Sequence, residues 1–172
     1  AISHTDANRS VFIGDSAGGA ITSGIGNVAI GGFALDAEDD GDFNTAVGHQ
    51  ALTAQTGVSG TVGNKAFGYN SLVACTSGKG NIVVGYESGK AITIGKYNMA
   101  IGYQALQTED VGDRSLAIGY ESLSAQNSDS NNEITGNTGV GFYTGMTNVT
   151  GQNNTYVGYQ SGKGGSGSES NN

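Results

Sequence analysis

Apolar and polar positions along this chain follow a beat that restarts at nearly constant intervals. The stretch "NMAIGYQAL" at 98–106 shows it, and "NVAIGGFAL" (27–35), "NTAVGHQAL" (44–52), "NKAFGYNSL" (64–72) and "NIVVGYESG" (81–89) repeat it. Aligned on the glycine that closes the apolar run, the copies fall at Gly14, Gly31, Gly48, Gly68, Gly85, Gly102, Gly119, Gly141 and Gly158. Most successive glycines are therefore 17 positions apart; only the steps from Gly48 to Gly68 and from Gly119 to Gly141 are longer. Within a copy the alternation has period two, which predicts a strand, and so short a repeat leaves no room for a helix–turn–helix unit.

The columns of this alignment carry physical meaning. The residues directly before the glycine are Ile13, Ile30, Val47, Phe67, Val84, Ile101, Ile118, Val140 and Val157, all apolar and eight of them β-branched. Such a column is expected to point into a core. Four before the glycine stand Asn27, Asn44, Asn64, Asn81, Asn98, Asn137 and Asn154, with Ser10 and Ser115 in the other two copies. A ladder of side-chain amides bonding from copy to copy is the expected role. Three after the glycine every copy has Ala, Ser or Thr; four after it comes Leu (35, 52, 72, 106, 123) or Gly (18, 89, 145, 162). Where leucine is missing, Ile21, Ile92 and Val149 follow a few positions later and are expected to fill the gap, as close packing requires.

A second glycine recurs seven before the first, at Gly24, Gly41, Gly78, Gly95, Gly112 and Gly151. Two glycines per repeat suggest two corners, with strands of about five residues between them. The fold class expected is therefore all-β: a parallel β-solenoid or β-roll of nine 17-residue coils over residues 9–162. Stacked at about 4.8 Å, they make a rod of roughly 40 Å. Residues 1–8 read as a lead segment and 163–172 as a Gly/Ser-rich tail. The extra residues of the two long steps go to loops at 53–63 and 124–136.

Composition sharpens this picture. Glycine is 31 of 172 residues, proline and tryptophan are absent, and charged residues are 13 %. Missing proline suits a stack in which every coil donates backbone hydrogen bonds. A net charge of −8 with seven basic residues argues against nucleic acid as a partner. No apolar run reaches the roughly 18 residues of a membrane span. The single Cys75 allows no internal disulfide and reads as a small buried apolar residue. No P-loop, dinucleotide fingerprint or zinc spacing appears, so an enzyme is not expected.

These repeats resemble the short "N-S-V-A-I-G" type repeats in the heads of trimeric autotransporter adhesins. They are also similar to "N-T-A-V-G-Y-Q-A-L" runs in the shafts of phage tail fibres. The resemblance covers about 9–162 and implies a β-roll, often assembled as a trimer, in an extracellular or virion-surface fibre.

Several features bear on partners. A thin coil rich in glycine buries little apolar surface against the entropy of ordering its backbone. Completion by oligomerisation, lateral or end to end, is therefore expected, the more so because neither end shows an obvious cap. One after the repeat glycine, Tyr69, Tyr86, Tyr103, Tyr120, Phe142 and Tyr159 put an aromatic on six consecutive coils. This stripe is either a stacking ladder, within the rod or at a subunit interface, or a glycan-binding surface. Asp36, Glu38 and Asp40 in "DAEDDGD" sit where a calcium loop would begin, and "DSNNE" (129–133) is a second oxygen-rich loop. Val47 replaces the closing Glu of an EF-hand, so solvated acidic loops are the expected reading, with a weak Ca²⁺ site as the alternative and no other cofactor. The best functional expectation is a self-assembling structural subunit of an extracellular fibre, filament or adhesive shaft. A glycan-binding adhesin or tail-fibre receptor-binding module is the alternative.

Overall fold

The repeated motif makes a strand of only three residues in most copies, because the glycine that follows turns the chain out of the sheet. The computed structural model describes residues 2–5, 9–38, 40–56, 59–128, 130–131 and 133–164. Its strands are β1 (Ile2–Thr5), β2 (Ser10–Ile13), β3 (Val28–Ile30), β4 (Gly41–Asp42), β5 (Thr45–Val47), β6 (Gly60–Thr61), β7 (Lys65–Phe67), β8 (Ile82–Val84), β9 (Met99–Ile101), β10 (Leu116–Ile118), β11 (Thr138–Val140) and β12 (Thr155–Val157). One ten-stranded sheet runs β1-β2-β3-β5-β7-β8-β9-β10-β11-β12. Every pair from β2 onward is parallel and in strict repeat register, as in Lys65↔Ile82, Ala66↔Val83 and Phe67↔Val84. The fold is thus an all-β parallel solenoid, nine rungs joined by eight turns.

Two details differ from the sequence-based picture. The rungs are shorter than expected, and the second corner makes almost no regular sheet: β4 pairs with β6 through Gly41↔Gly60 and Asp42↔Thr61, and Asp113 bridges Ile134. The rest of each coil runs as turns held to the next coil by single bonds, such as Thr93 N–H to Asp110 C=O at 2.8 Å.

The core column is also not the one expected. In a three-residue strand the centre points one way and both flanks the other. The structure turns the centre inward: Phe12, Ala29, Ala46, Ala66, Val83, Ala100, Ala117 and Tyr156 are buried. Ile13, Phe67, Val84 and Val157 are 38, 38, 36 and 66 % exposed, and Ile30, Val47, Ile101, Ile118 and Val140 are half-buried on the same outer face. The reason is width. Leu35, Leu52, Leu72, Leu106 and Leu123, fully buried, reach across from the opposite wall, and only alanine leaves them room.

Volume is exchanged between these two walls. Coils with leucine four after the glycine have alanine two before it. Coils with glycine there have Phe12, Val83 or Tyr156 opposite, and a Cβ on Gly89 would meet Val83 at 3.2 Å. The Gly139/Gly145 coil lacks both large groups; Leu123 and Tyr156 of the adjoining coils close on Gly145 instead, each 2.6 Å from where its Cβ would stand. Ile92 is buried and Ile21 packs on the core as expected, whereas Val149 lies 41 % exposed and fills nothing.

The asparagines hold the corner. Asn81 and Asn98 are typical: the backbone N–H of Asn98 donates to Asn81 Oδ1 at 2.9 Å, and Asn98 Nδ2 donates to the Gly112 carbonyl at 2.8 Å. The amide therefore does two things, bonding the coil before to the coil after and closing its own coil. Ser115 continues the ladder by donating its N–H to Asn98 Oδ1 at 2.9 Å. These side chains are buried throughout.

Glycine serves two purposes here. At Gly85 and Gly102 φ is 137° and 140°, a region other residues avoid, and a Cβ on either would strike the carbonyl of the next glycine in the column. At Gly78 and Gly95 φ is ordinary and close approach alone excludes a side chain: a Cβ would stand 2.5 and 2.6 Å from the Gly95 and Gly112 carbonyl oxygens. The left-handed conformations expected of those second glycines lie elsewhere, at Gly80 (φ 67°), Tyr97 (φ 59°) and all five buried leucines, as at Leu106 (φ 51°). A leucine in that region costs on the order of 1–2 kcal/mol, offset by its burial at about 1.5–3 kcal/mol.

The first end is closed more fully than the sequence suggested. β1 doubles back antiparallel on β2, pairing Ile2↔Ile13 through Thr5↔Ser10. Phe12 and Tyr156 plug the two ends of a core lined elsewhere by small residues at that position. Beyond Gly158, however, no described residue lies within 4 Å of where a Cβ would stand.

That contrast gives a paired test. Gly102→Ala should destabilise the roll by more than about 3 kcal/mol, through both strain and collision with the next coil, whereas Gly158→Ala should cost only the backbone strain of about 1–3 kcal/mol. Urea denaturation of the two variants against the parent chain measures the difference.

Candidate interaction surface

With its centres turned inward, the long sheet faces outward through the two flanking positions of every rung. These pair as Val11 with Ile13, Val28 with Ile30, Ile82 with Val84, Met99 with Ile101 and Leu116 with Ile118. The result is a flat, largely aliphatic strip about 40 Å long, on a 4.8 Å beat. Thr45, Thr138 and Thr155 are its uncharged polar members. Only Lys65 brings charge to it, and its Nζ is tied down by the carbonyls of Phe43 (2.6 Å) and Gly63 (3.3 Å). Partial burial lowers the affinity of that ammonium for its proton. Soluble monomers rarely expose an apolar strip of this size.

The predicted aromatic stripe borders the strip. From His49 through Tyr69, Tyr86, Tyr103, Tyr120 and Phe142 the rings stack nearly parallel, with interplanar angles of 11, 14, 7, 6 and 6°. Centroids in the tyrosine run are 5.3, 5.2 and 4.9 Å apart. Phe33 meets His49 edge-on at 5.9 Å, and Tyr143 reaches edge-on toward Tyr120 and Tyr159. Tyr159 itself stands outside the parallel stack and is 73 % exposed. The ring faces are therefore occupied by one another, and the row shows solvent its edges and hydroxyls. Sugar recognition by aromatic side chains uses the faces. Beside the row, Glu87 accepts from Gln104 Nε2 (3.1 Å), Lys90 Nζ (3.1 Å) and Gln107 Nε2 (3.2 Å), and these bonds hold its carboxyl below the usual range.

Asp36, Glu38 and Asp40 do not come together as the weak calcium site that the sequence allowed. Glu38 turns into the coil, fully buried, with Oε1 accepting the N–H groups of Gly41 (2.8 Å) and Asp40 (3.2 Å). Among the described residues no three His, Cys, Asp or Glu side chains come together in a way that could hold a metal ion. In the second oxygen-rich loop, Asp129 and Asn132 lie outside the described residues.

Glu38 belongs instead to a buried column, seven after the repeat glycine, whose polar members sequence reading passed over: Glu38, Gln55, Cys75, Ile92, Glu109, Gln126 and Asn148. Glu109 accepts the Gly112 N–H through Oε1 (2.7 Å) and Gln126 Nε2 through Oε2 (2.7 Å). Gln126 Oε1 accepts Asn137 Nδ2 at 2.8 Å, and Gln55 Oε1 accepts Asn64 Nδ2 at 2.7 Å. Both glutamines lie in the lengthened coils, between Gly48 and Gly68 and between Gly119 and Gly141, and staple them to their neighbours. The signal was there in the sequence: Glu then Gln at this offset precedes each insertion. Cys75 sits in the same column, its thiol pushed up to about 12 by burial and thus inert.

Gln126→Leu should cost about 2–3 kcal/mol, because it leaves Glu109 and Asn137 each short of a buried partner; thermal unfolding against the parent reads it. The tyrosine row gives a pH test. The charge of Glu87 raises Tyr86, and a hydrogen bond to Glu121 raises Tyr120, so both hydroxyls hold their protons beyond the usual phenol range. A group raised on folding stabilises the folded state below its unfolded value and loses that contribution as pH rises. Phenolate absorbance should therefore lag that of the denatured chain above pH about 10, with stability falling over the same window.

No protein-family model, curated protein or solved structure matches this chain.

Proposed function

We propose that this chain is a structural subunit, a β-roll that associates side by side with copies of itself to build an extracellular or virion-surface fibre or adhesive shaft. The observation that carries this reading is the long, largely aliphatic outer face of the main sheet. A strip about 40 Å by 12 Å, widened by the bordering aromatic row, approaches the roughly 800 Å² per partner of a stable interface. Its occupant is a second copy. A strip of side chains on a 4.8 Å beat is matched best by a surface with that same beat, and the polar, acidic remainder of the coil offers no such match. The likeness of "NVAIG" and "NMAIG" to adhesin-head and tail-fibre repeats supports the same role and favours a closed ring of three. Nothing in the reading calls for a catalytic step or a cofactor.

Glycan recognition by the tyrosine row would have to work through ring edges and hydroxyls, since the faces are stacked away. Self-association is the better supported of the two.

The double variant Ile82→Lys plus Ile101→Lys, which places charge on two adjacent central rungs, should be monomeric by light scattering while keeping its far-ultraviolet circular dichroism. The parent chain, carrying a net charge of −8, should associate more tightly as salt rises and mutual repulsion is screened. A parent chain that stays monomeric at micromolar concentration in high salt overturns the reading.

A further inference from the structure

We propose that β12 is a docking edge for the first rung of a second copy, and that β1 is the strand that keeps that first rung closed. The roll would then extend along its axis as well as sideways, and this step does not rest on the sideways association proposed above.

The argument is one of register. At each internal junction the N–H three before the repeat glycine donates to the next coil, as Leu116 does to Asn137 (2.8 Å) and Thr138 to Asn154 (2.8 Å). The next glycine N–H in turn donates to the residue just before the previous glycine, as Gly158 does to Val140 (2.9 Å). At β12 the corresponding groups are the Thr155 N–H and the Val157 carbonyl. No described residue meets either of them. The glycine column tells the same story: each earlier member lies against the next, and Gly158 lies against no described residue.

The first rung supplies what this edge lacks. Placed in the common register, Val11, Phe12 and Ile13 would lie beside Thr155, Tyr156 and Val157, and Gly14 beside Gly158. In that register Ser10 would take the place after Asn154 that Ser115 takes after Asn98. The two aromatic plugs would come together, each with a glycine opposite, Gly18 for Phe12 and Gly162 for Tyr156. What occupies the outer edge of β2 is β1, antiparallel from Ile2↔Ile13 to Thr5↔Ser10, the one reversal in an otherwise parallel sheet. A short strand in the opposite sense satisfies the edge without offering the repeat register onward.

The test uses the full chain carrying Ile82→Lys and Ile101→Lys, so that rod length is read without sideways growth. Ser3→Pro removes the β1 backbone donor that faces Phe12 and should loosen the strand. Electron microscopy and sedimentation should then show rods growing in steps of about 40 Å. Adding Thr155→Pro, whose lost N–H points off the end of the roll, or Gly158→Ala should hold the rods at one unit length with circular dichroism unchanged. As a direct reading of register, Val11→Cys plus Thr155→Cys in the Ser3→Pro chain should form an intermolecular disulfide under mild oxidation, because adjacent in-register strands place Cα atoms within bonding range. If Ser3→Pro fails to lengthen or shortens the rods, if Thr155→Pro lengthens them equally, or if no such disulfide forms, the proposal is overturned.

Discussion

A side-chain amide in a sealed corner governs this molecule. Each coil must leave the sheet, round a corner and return before the next repeat glycine, and outside the short β4–β6 pair the backbone groups on the way meet the adjoining coil only by single bonds. The asparagine four before the repeat glycine resolves this locally. Its oxygen takes the N–H of the following asparagine and its nitrogen takes the carbonyl that ends its own coil, both out of reach of water. Because the same residue closes one coil and positions the next, the stack is periodic by construction. The three-residue rungs, the glycine column and the outward strip all follow from the corner being fixed at one point per turn.

That economy explains why so much of the fold could be read from the chain and why one part could not. The period, the parallel stacking and the amide column are all visible in the nine aligned motifs, because each depends on residue type at a fixed offset. The direction of the side chains was not visible. In "NMAIG" the positions Met99, Ala100 and Ile101 are all apolar, so alternation does not say which parity faces inward, and bulk suggested Ile101. The interior is in fact too narrow for isoleucine once Leu106 occupies it, so alanine wins the inside and the larger residues go out. Hydrophobicity alone ranks the columns wrongly; cross-sectional area ranks them correctly.

The polar interior was missed for a related reason. Glu38 read as part of a solvent-facing acidic loop because its neighbours are acidic, yet its offset from Gly31 equals that of Ile92 from Gly85. Position in the coil outweighs local composition. The aromatic stripe shows the converse: its offset is plain in the sequence, and from His49 to Phe142 its rings lie nearly parallel, face toward face. A row of tyrosines that looks like a flat platform in sequence presents, in three dimensions, its ring edges and hydroxyls.

The trade of bulk between the two inner walls has one more consequence. A molecule made of near-identical windings runs the hazard of threading itself one winding out of step while it folds. The windings of Ala29, Ala46 and Ala66 are interchangeable in that sense, each with its leucine. Those of Phe12, Val83 and Tyr156 are not, since shifting any of them would drive an aromatic ring or a branched chain into a leucine. Spaced near the start, middle and finish, these misfits act as punctuation, and they let a monotonous text be read from one place only.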